Sequence, residues 1–405
     1  LPGVPRERAQ AVVVLSASGD LPPELSTCAT VIEWPLPDRA EIAEILDAAV
    51  EALPDEVRRA ALTRNTREAA IDATVGLSGE EAQSCYAKSL VQFRRVAPAA
   101  VAAEKRRVIA RERVLEWHDP LPGGLDAVGG LDNLKAWLAS RAAAYSPEAR
   151  AYGLPAPRGA MLVGVPGCGK SLTAKAVAAA WGVPLLRLDL GALKSKYVGE
   201  SEGNLRRALR TIEAIGRCVV WVDEVEKALQ GATSGSADGG VSADALGTVL
   251  SWMQERPGEA FVIATANNIE QLPPELLRKG RFDEVWFVDL PTVGEREAVL
   301  TATLRGHSRG EVKLNMRAVA QACERFTGAE IAAIVPDAMF AAFADGTREI
   351  TTRDLLDAAR AVCPLADTAA EKIERLRKWA EGRARFASQG STRERASDRG
   401  RKLDI

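Results

Sequence analysis

Histidine is scarce in this sequence, and its cysteines show no paired spacing. The two histidines, His118 and His307, are far apart, which argues against a histidine-based metal site. The six cysteines are also dispersed, with no CxxC among them. This pattern predicts a reduced, cytoplasmic protein rather than a disulfide-stabilised secreted one.

Long apolar runs and a strong charge bias are missing as well. No apolar run approaches the ~20 residues of a membrane-spanning helix, and no signal peptide is recognisable, so we expect no membrane partner. The formal net charge is −2 with 27% charged residues, which gives no electrostatic indication of a nucleic-acid partner. At 405 residues the chain is long enough for two or three domains.

A phosphate-binding loop is the strongest positive signal. Residues 158–182 contain the pattern Gly164-x-x-x-x-Gly169-Lys170-Ser171 between an apolar strand and an Ala-rich helix. Glycines let backbone N–H groups surround a phosphate at a helix N-terminus, where the helix dipole also favours anions. We expect Lys170 to reach the β and γ phosphates of ATP, and the Ser171 hydroxyl to bind Mg²⁺. The predicted nucleotide contacts of the loop are Pro166, Gly167, Cys168, Gly169, Lys170, Ser171 and Leu172.

A pair of acids follows another buried strand. The apolar run Val219–Val222 ends in Asp223 and Glu224. In a parallel sheet, carboxylates at the C-terminal end of a strand lie at the same edge as the phosphate loop. An acidic pair is often only a solvated strand end, but its position downstream of a P-loop favours catalysis. We predict that Asp223 holds the Mg²⁺ through water, and that Glu224 orients and polarises the attacking water.

The five residues LPPEL occur twice, at 21–25 and 272–276. Each copy follows an apolar run and a polar loop, and precedes a second apolar run that ends in Leu-Pro before a helix. A shared order over this length indicates a duplicated module. The second copy has Asn267 before it, and Arg278 and Arg281 after it. The first copy lacks these residues and any P-loop, so we predict that the first module does not hydrolyse ATP.

Together these segments resemble the AAA clade of the AAA+ ATPases. The strings GVPGCGKS, VVWVDE, ATANN and LLRKGRFD occur in that family's order within residues 127–362. The resemblance implies an α/β fold: a three-layer P-loop AAA+ sandwich with a parallel sheet plus a helical lid, here preceded by a partial degenerate module. It also implies ATP and Mg²⁺ as cofactors. This layout and the tail at 373–388 resemble the AAA proteins of cyanobacteria and algal plastids, which pair a degenerate module with an active one.

The resemblance assigns catalytic roles beyond the acidic pair. Asn267 would be the sensor residue that positions the lytic water. Arg278 and Arg281 would be arginine fingers that reach the γ-phosphate bound to a neighbouring subunit, where a cation stabilises the negative charge of the transition state. The alternative, which the surrounding match disfavours, is that two arginines beside a glycine form a solvated turn.

The resemblance also implies residues for the base and for substrate. Val128 would pack on the adenine, and Gly129 would allow close backbone approach. Gly328 and Ala329, in the small-domain element FTGAE, would approach the nucleotide from the other side. Residues Lys196, Tyr197 and Val198 resemble the family's first pore loop, which points into the axial channel of a ring. The alternative is that Tyr197 caps or packs on the following helix.

These inferences define five segments and a leading hypothesis. The predicted segments are a remnant of a degenerate ATPase core (1–37), its helical lid and connector (38–117), an active large domain (118–291), a helical lid (292–366), and a helix with a disordered polar tail (367–405). We expect a ring-forming homo-oligomer, a hexamer, that remodels protein substrates at the expense of ATP. The alternative is a nucleotide-dependent assembly switch or scaffold. A DNA-acting ATPase is disfavoured by the near-neutral charge.

Overall fold

The chain folds around a sheet that is flanked by two helical units. The structure is a computed structural model, and it describes residues 12–14, 23–25, 27–32, 35–54, 58, 62–109, 114–193, 198–229, 239–255, 258–272, 274–278 and 280–388. Within these ranges, no helix is both long and apolar enough to cross a membrane.

The described residues form one seven-stranded sheet, in the order β1-β3-β4-β5-β2-β6-β7. Its strands are β1 (Leu115–His118), β2 (Gly159–Gly164), β3 (Leu185–Leu188), β4 (Val219–Val222), β5 (Phe261–Ala266), β6 (Glu284–Val288) and β7 (Arg385–Phe386). All neighbouring pairs are parallel except β1 with β3. Every residue of the central strands β2, β4 and β5 is buried, as expected for parallel strands that are covered on both faces.

Helices cover both faces of the sheet and give it three layers. They are α5 (Asp132–Ala142), α6 (Pro147–Tyr152), α7 (Lys170–Trp181), α8 (Val198–Ile215), α9 (Val225–Leu229) and α10 (Gly239–Glu255). Adjacent residues of one strand serve opposite cores, because strand side chains alternate: Val220 packs in one apolar cluster and Val219 in the other. The predicted fold class, a P-loop AAA+ α/β sandwich with a mostly parallel sheet, is confirmed.

The N-terminal helical unit has its own core. It consists of α1 (Arg39–Glu51), α2 (Arg64–Thr74), α3 (Gly79–Phe93) and α4 (Pro98–Ile109), packed around residues such as Ile42 and Tyr86. The helical connector predicted over residues 97–117 is shorter than expected, because α4 ends at Ile109 and residues 115–118 join the sheet as β1. The ATPase sheet therefore begins before the predicted boundary at residue 118.

The two LPPEL segments adopt the same local structure. Each forms a 3₁₀ turn that starts at its second proline, over Pro23–Leu25 and Pro274–Leu277. Residues 12–14 and 29–32, the described parts of the apolar runs around the first copy, are not in a strand. Strands in the remnant at residues 1–37 therefore stay a prediction.

The lid follows β6. Its helices are α11 (Val293–Gly306), α12 (Met316–Ala322), α13 (Gly328–Ala344) and α14 (Thr352–Ala361). A threonine precedes α11, α13 and α14, and each forms a capping box with an acid three residues later, which satisfies the free N–H groups of the first turn. The lid helices enclose a separate apolar core.

The C-terminal segment returns from the lid to the sheet. Helices α15 (Leu365–Thr368) and α16 (Ala370–Ala380) lead to β7, which pairs in parallel with β6. Arg377 of α16 makes bidentate contacts of 2.9 Å to Asp289, just beyond β6. A helix was predicted here, but the strand was not. Residues 389–405, where a disordered tail was predicted, lie outside the described residues.

Candidate functional site

The loop between β2 and α7 is built for close backbone approach. Gly164, Gly167 and Gly169 have φ values of 149°, 76° and 90°, a region that residues with a Cβ rarely adopt. A Cβ at Gly164 would lie 2.0 Å from the carbonyl oxygen of Val288, so no side chain fits. The loop ends at the N-terminus of α7, whose free N–H groups suit a phosphate. The predicted loop residues therefore fit the nucleotide that the sequence implies.

Lys170, the first residue of α7, is held inside this loop. Its side chain is 5% exposed, and Nζ donates to the carbonyl oxygens of Gly164 (3.0 Å) and Val165 (2.7 Å). Burial lowers the pKa of Lys170 to about 8, because a low-dielectric environment disfavours the ammonium. A nearby phosphate would favour that charged form and raise the pKa again.

We expect nucleotide affinity to fall above pH 8. Below pH 8 Lys170 is already protonated in the free protein, so nucleotide binding takes up no proton. Above pH 8 Lys170 must be protonated as the nucleotide binds, and the affinity therefore drops by as much as about tenfold per pH unit. Calorimetry with ADP, in two buffers of different ionisation enthalpy, should detect uptake approaching one proton at pH 9. Lys105 is also buried, with its pKa lowered to about 8, but it lies in α4. A Lys105→Met chain should therefore keep the effect, and zero uptake at pH 9 would contradict the assignment to Lys170.

The acids after β4 meet the phosphate loop at one edge of the sheet. Ser171 Oγ, in the first turn of α7, donates to Asp223 Oδ1 at 2.8 Å. The contact forms although β5 lies between β2, which leads into the loop, and β4, which Asp223 follows. A hydroxyl beside a carboxylate provides the hard oxygen donors that Mg²⁺ prefers, directly or through water. The predicted metal residues thus come together and fit the ion.

Glu224 lies in a constrained backbone conformation. Its φ is 47°, which is uncommon for a residue other than glycine and is often found at functional sites. Its carboxylate Oε1 accepts from Asn267 Nδ2 at 3.0 Å, and Oε2 pairs with Lys227. The predicted base and sensor residue are therefore in direct contact.

Two buried residues behind this pair were missed by sequence reasoning. Thr265 is 1% exposed; its hydroxyl donates to Asp223 Oδ1 at 2.6 Å and accepts from Glu224 N at 3.0 Å. Glu226 is 3% exposed, and its Oε1 accepts from Asn267 N at 2.9 Å. Thr265 is a polar residue in an apolar strand, two positions before Asn267 and so on the same face. This position is the feature of the sequence from which a role for Thr265 could have been predicted.

The lid contacts the phosphate loop directly. Ala329 N donates to the carbonyl oxygen of Gly167 at 2.8 Å, and a Cβ at Gly328 would lie 3.2 Å from the same oxygen. Cys168 is buried at this junction, and burial raises the pKa of its thiol to about 12, so it stays protonated at neutral pH. Gly328 and Ala329 thus lie beside the loop, as predicted.

The segment predicted to contact the base packs between the large unit and the lid. A Cβ at Gly129 would lie 2.5 Å from Val299 N, so its close approach is to α11. Val128 and Gly129 line a cavity of about 470 Å³ together with Ala298 and Ala302 of α11. The cavity is also lined by charged residues, among them Asp126, Lys135 and Arg305, so packing of Val128 on the adenine stays a prediction. Leu172 is exposed in the first turn of α7.

The predicted arginine fingers lie at the opposite edge of the sheet from the phosphate loop. In the β2–β6 pairing, Gly164 faces Val288, whereas Ala160 faces Glu284, just after the arginine segment. At ~3.3 Å per residue, the Ala160–Glu284 pair lies about 13 Å along the strand from the Gly164–Val288 pair. Arg278 is exposed, and Arg281, which donates to the Glu275 carbonyl oxygen, is partly exposed.

The predicted pore residues fall largely outside the described part of the chain. Lys196 and Tyr197 lie outside the described residues. Val198 is the first residue of α8, and its side chain is not among those described. The pore-loop assignment stays a prediction.

The sheet order, the phosphate loop and the acidic pair define a P-loop ATPase. Residues 160–290 match the ATPase family associated with various cellular activities (AAA), and residues 40–112 match the second domain of SpoVK-like AAA ATPases. The chain belongs to the AAA ATPase family.

Its relatives include proteins that match along most of the chain. The protein named "Uncharacterized AAA domain-containing protein ycf46" of Guillardia theta is 38% identical over 388 residues, which is 95% of this chain and 75% of the relative. Its namesake in Pyropia yezoensis is 37% identical over 93% of this chain and 76% of the relative. The ATP-dependent zinc metalloprotease FtsH of Acidothermus cellulolyticus is 34% identical over 56% of this chain and 35% of its own length. The predicted resemblance to the algal type is confirmed.

Proposed function

We propose that this protein binds ATP with Mg²⁺, hydrolyses it within a homo-oligomeric ring of six subunits, and uses the cycle to remodel protein substrates. One observation carries the proposal. The phosphate loop and the arginine segment lie at opposite edges of the same sheet. The arginines of one subunit can therefore complete the ATP site of the next subunit, while its own ATP site is completed by the arginines of the preceding subunit.

Within one subunit, the described contacts support a separate task for each side chain. The N–H groups of the loop and Lys170 would hold the phosphates, and Ser171 and Asp223 would hold the Mg²⁺. When bound, that ion neutralises charge on the phosphate oxygens. Glu224 would accept the proton of the attacking water. Asn267 orients the carboxylate of Glu224 through their 3.0 Å contact.

The remaining charge would be neutralised from the neighbouring subunit. Developing negative charge needs a cation close by. Arg281 precedes Glu284, which itself lies about 13 Å of strand from the phosphate-loop end of β2. Head-to-tail contacts of this kind generate closed rings when the rotation closes. This supports a ring in which hydrolysis depends on assembly.

A protein substrate is favoured over a nucleic acid. The formal net charge of −2 offers no excess of cations for a phosphate backbone. The Acidothermus cellulolyticus relative is named as an ATP-dependent metalloprotease. An aromatic residue such as Tyr197 can contact an extended polypeptide with little sequence preference, which suits a pore loop.

We expect ATP turnover per chain to rise steeply with protein concentration and then to saturate, because sites are completed between subunits. Phosphate release should be measured over about three decades of protein concentration, with oligomer size followed by light scattering. Binding of ADP serves as the control and should change little, since its contacts lie within one subunit. Appreciable turnover that is independent of concentration would refute the proposal.

A further inference from the structure

We propose that Asp283 and Arg158 are positioning residues that fix the arginine segment, residues 278–281, for use by a neighbouring subunit. This inference rests on the proposed function. Asp283 follows the segment, and Arg158 immediately precedes β2. Sequence reasoning assigned no role to either residue.

The contacts of Asp283 join the segment to the start of β2. One carboxylate oxygen, Oδ2, accepts from the backbone N–H groups of Arg158 (2.8 Å) and Gly159 (3.1 Å). In return, Asp283 N donates to the carbonyl oxygen of Gly159 at 2.9 Å. A carboxylate that accepts two N–H bonds fixes the direction of its own backbone, since charged acceptors make the stronger hydrogen bonds.

Arg158 holds the turn itself. Its guanidinium donates to the carbonyl oxygen of Gly280, a glycine with a φ of 98°, where a side chain would be strained. The side chain of Arg158 also lines a cavity of about 490 Å³ with Gln254, Arg278 and Arg281. The backbone is therefore held at Gly280, the residue immediately before Arg281.

Two buried apolar residues anchor the same segment to the core of the sheet. Leu276 and Phe282 flank the segment and are buried in one of the two cores of the sheet. Between these anchors, Arg278 and Arg281 remain at the surface. The two apolar side chains fix the distance of the segment from the core, whereas Asp283 and Arg158 fix the direction in which its backbone runs. The clamp, Asp283 with Arg158, thus fixes the backbone from which the arginines project.

The position of the clamp permits two explanations for any loss of activity. The clamp lies at one end of β2, and the phosphate loop lies at the other. A defect could therefore act in trans, through a misplaced arginine, or in cis, through a shifted loop. Only the trans effect is predicted, because ladder bonds between β2 and both of its neighbours, β5 and β6, hold the strand independently of the clamp.

The first test compares Asp283→Ala with Asp283→Asn. Misplacing a catalytic group by about 1 Å can lower the rate about 100-fold, so we expect the alanine chain to lose about 10- to 100-fold in kcat. Its KM for ATP and its affinity for ADP should change by less than about twofold, since those report the subunit's own site. Asparagine keeps an oxygen acceptor and should retain most of the activity. Arg158→Ala, which removes the guanidinium bond to Gly280 but keeps the backbone N–H that Asp283 accepts, should show a smaller kcat loss.

The second test mixes subunits. Glu224→Gln chains carry an intact arginine segment beside an inactive site, so they should restore turnover at the sites of Asp283→Ala chains. A parallel mixture with Arg281→Ala chains tests the arginine mechanism itself. Rescue in both mixtures supports the clamp. Rescue of Arg281→Ala alone, or a loss of ADP affinity in Asp283→Ala, overturns the clamp. Rescue in neither mixture overturns the trans mechanism and the clamp with it.

Discussion

A Glu224→Gln chain should bind ATP as the wild type does and hydrolyse it about 10² to 10⁴ times more slowly. The amide cannot take a proton from water, but its carbonyl oxygen can still accept from Asn267 Nδ2. The bond from the backbone N–H of residue 224 to Thr265 Oγ1 does not depend on the side chain. The substitution therefore removes the base and the ion pair with Lys227, but it keeps the contact with Asn267 and the backbone bond. Single-turnover hydrolysis and equilibrium ATP binding, measured on one preparation, would separate the two effects.

Glu226 offers a matched control for this experiment. It is another acid in the same stretch, and its Oε1 accepts from Asn267 N. Glu226→Gln keeps an acceptor at that position, so turnover should fall only a few-fold. A Glu224→Gln chain with normal turnover would show that a different residue is the base. A larger loss in Glu226→Gln than in Glu224→Gln would move that role to Glu226.

An Arg281→Ala chain should lose about 10³- to 10⁵-fold in kcat, the range found for arginine fingers, while its affinity for nucleotide stays close to that of the wild type. The effect is large because a guanidinium stabilises charge that develops only in the transition state. The expected effect is on kcat and not on nucleotide affinity, because the Arg281 side chain lies at the edge of the sheet opposite the phosphate loop of its own subunit. Phosphate release at saturating ATP, together with ADP titration, measures both quantities.

Arg353 provides a surface control for Arg281. It lies in α14 of the lid, its side chain is 89% exposed, and it has no part in the proposed site. Arg353→Ala should leave turnover unchanged. Arg281→Lys should recover only part of the activity, since a lysine cannot reproduce the planar fork of donors. Unchanged turnover in Arg281→Ala would refute the role proposed for this arginine.

The parts of the site that were predictable are those encoded by a short stretch of chain. The phosphate loop, the acidic pair and Asn267 each follow a β-type run, and parallel strands bring such ends to one edge. Thr265 and Asp283 were missed because their roles depend on partners 41 to 125 residues away. Their positions, inside a strand and after a turn, fit ordinary structural residues equally well.

The errors in the fold have a similar origin. Strands β1 and β7 have four and two residues, which is too short for a periodic pattern to distinguish them from the helices beside them. Both add to an existing edge, so their conformation is set by the neighbouring strand. Because β1 is so short, the connector was predicted to be helical as far as Trp117. The chain instead pairs with β3 from Leu115 onward.

Because β7 pairs with β6, the lid is an insertion in the sheet domain and not an appendage at its end. The chain enters the lid after Leu290 and leaves it through α15 and α16, where Arg377 returns to Asp289 at the entry point. A domain that is connected by two chain segments can rotate about the line that joins the two connections. Rotation about other axes is resisted because it would strain both connections. Rocking of the lid would therefore change the contact between Ala329 N and the Gly167 carbonyl oxygen, which joins the lid to the phosphate loop.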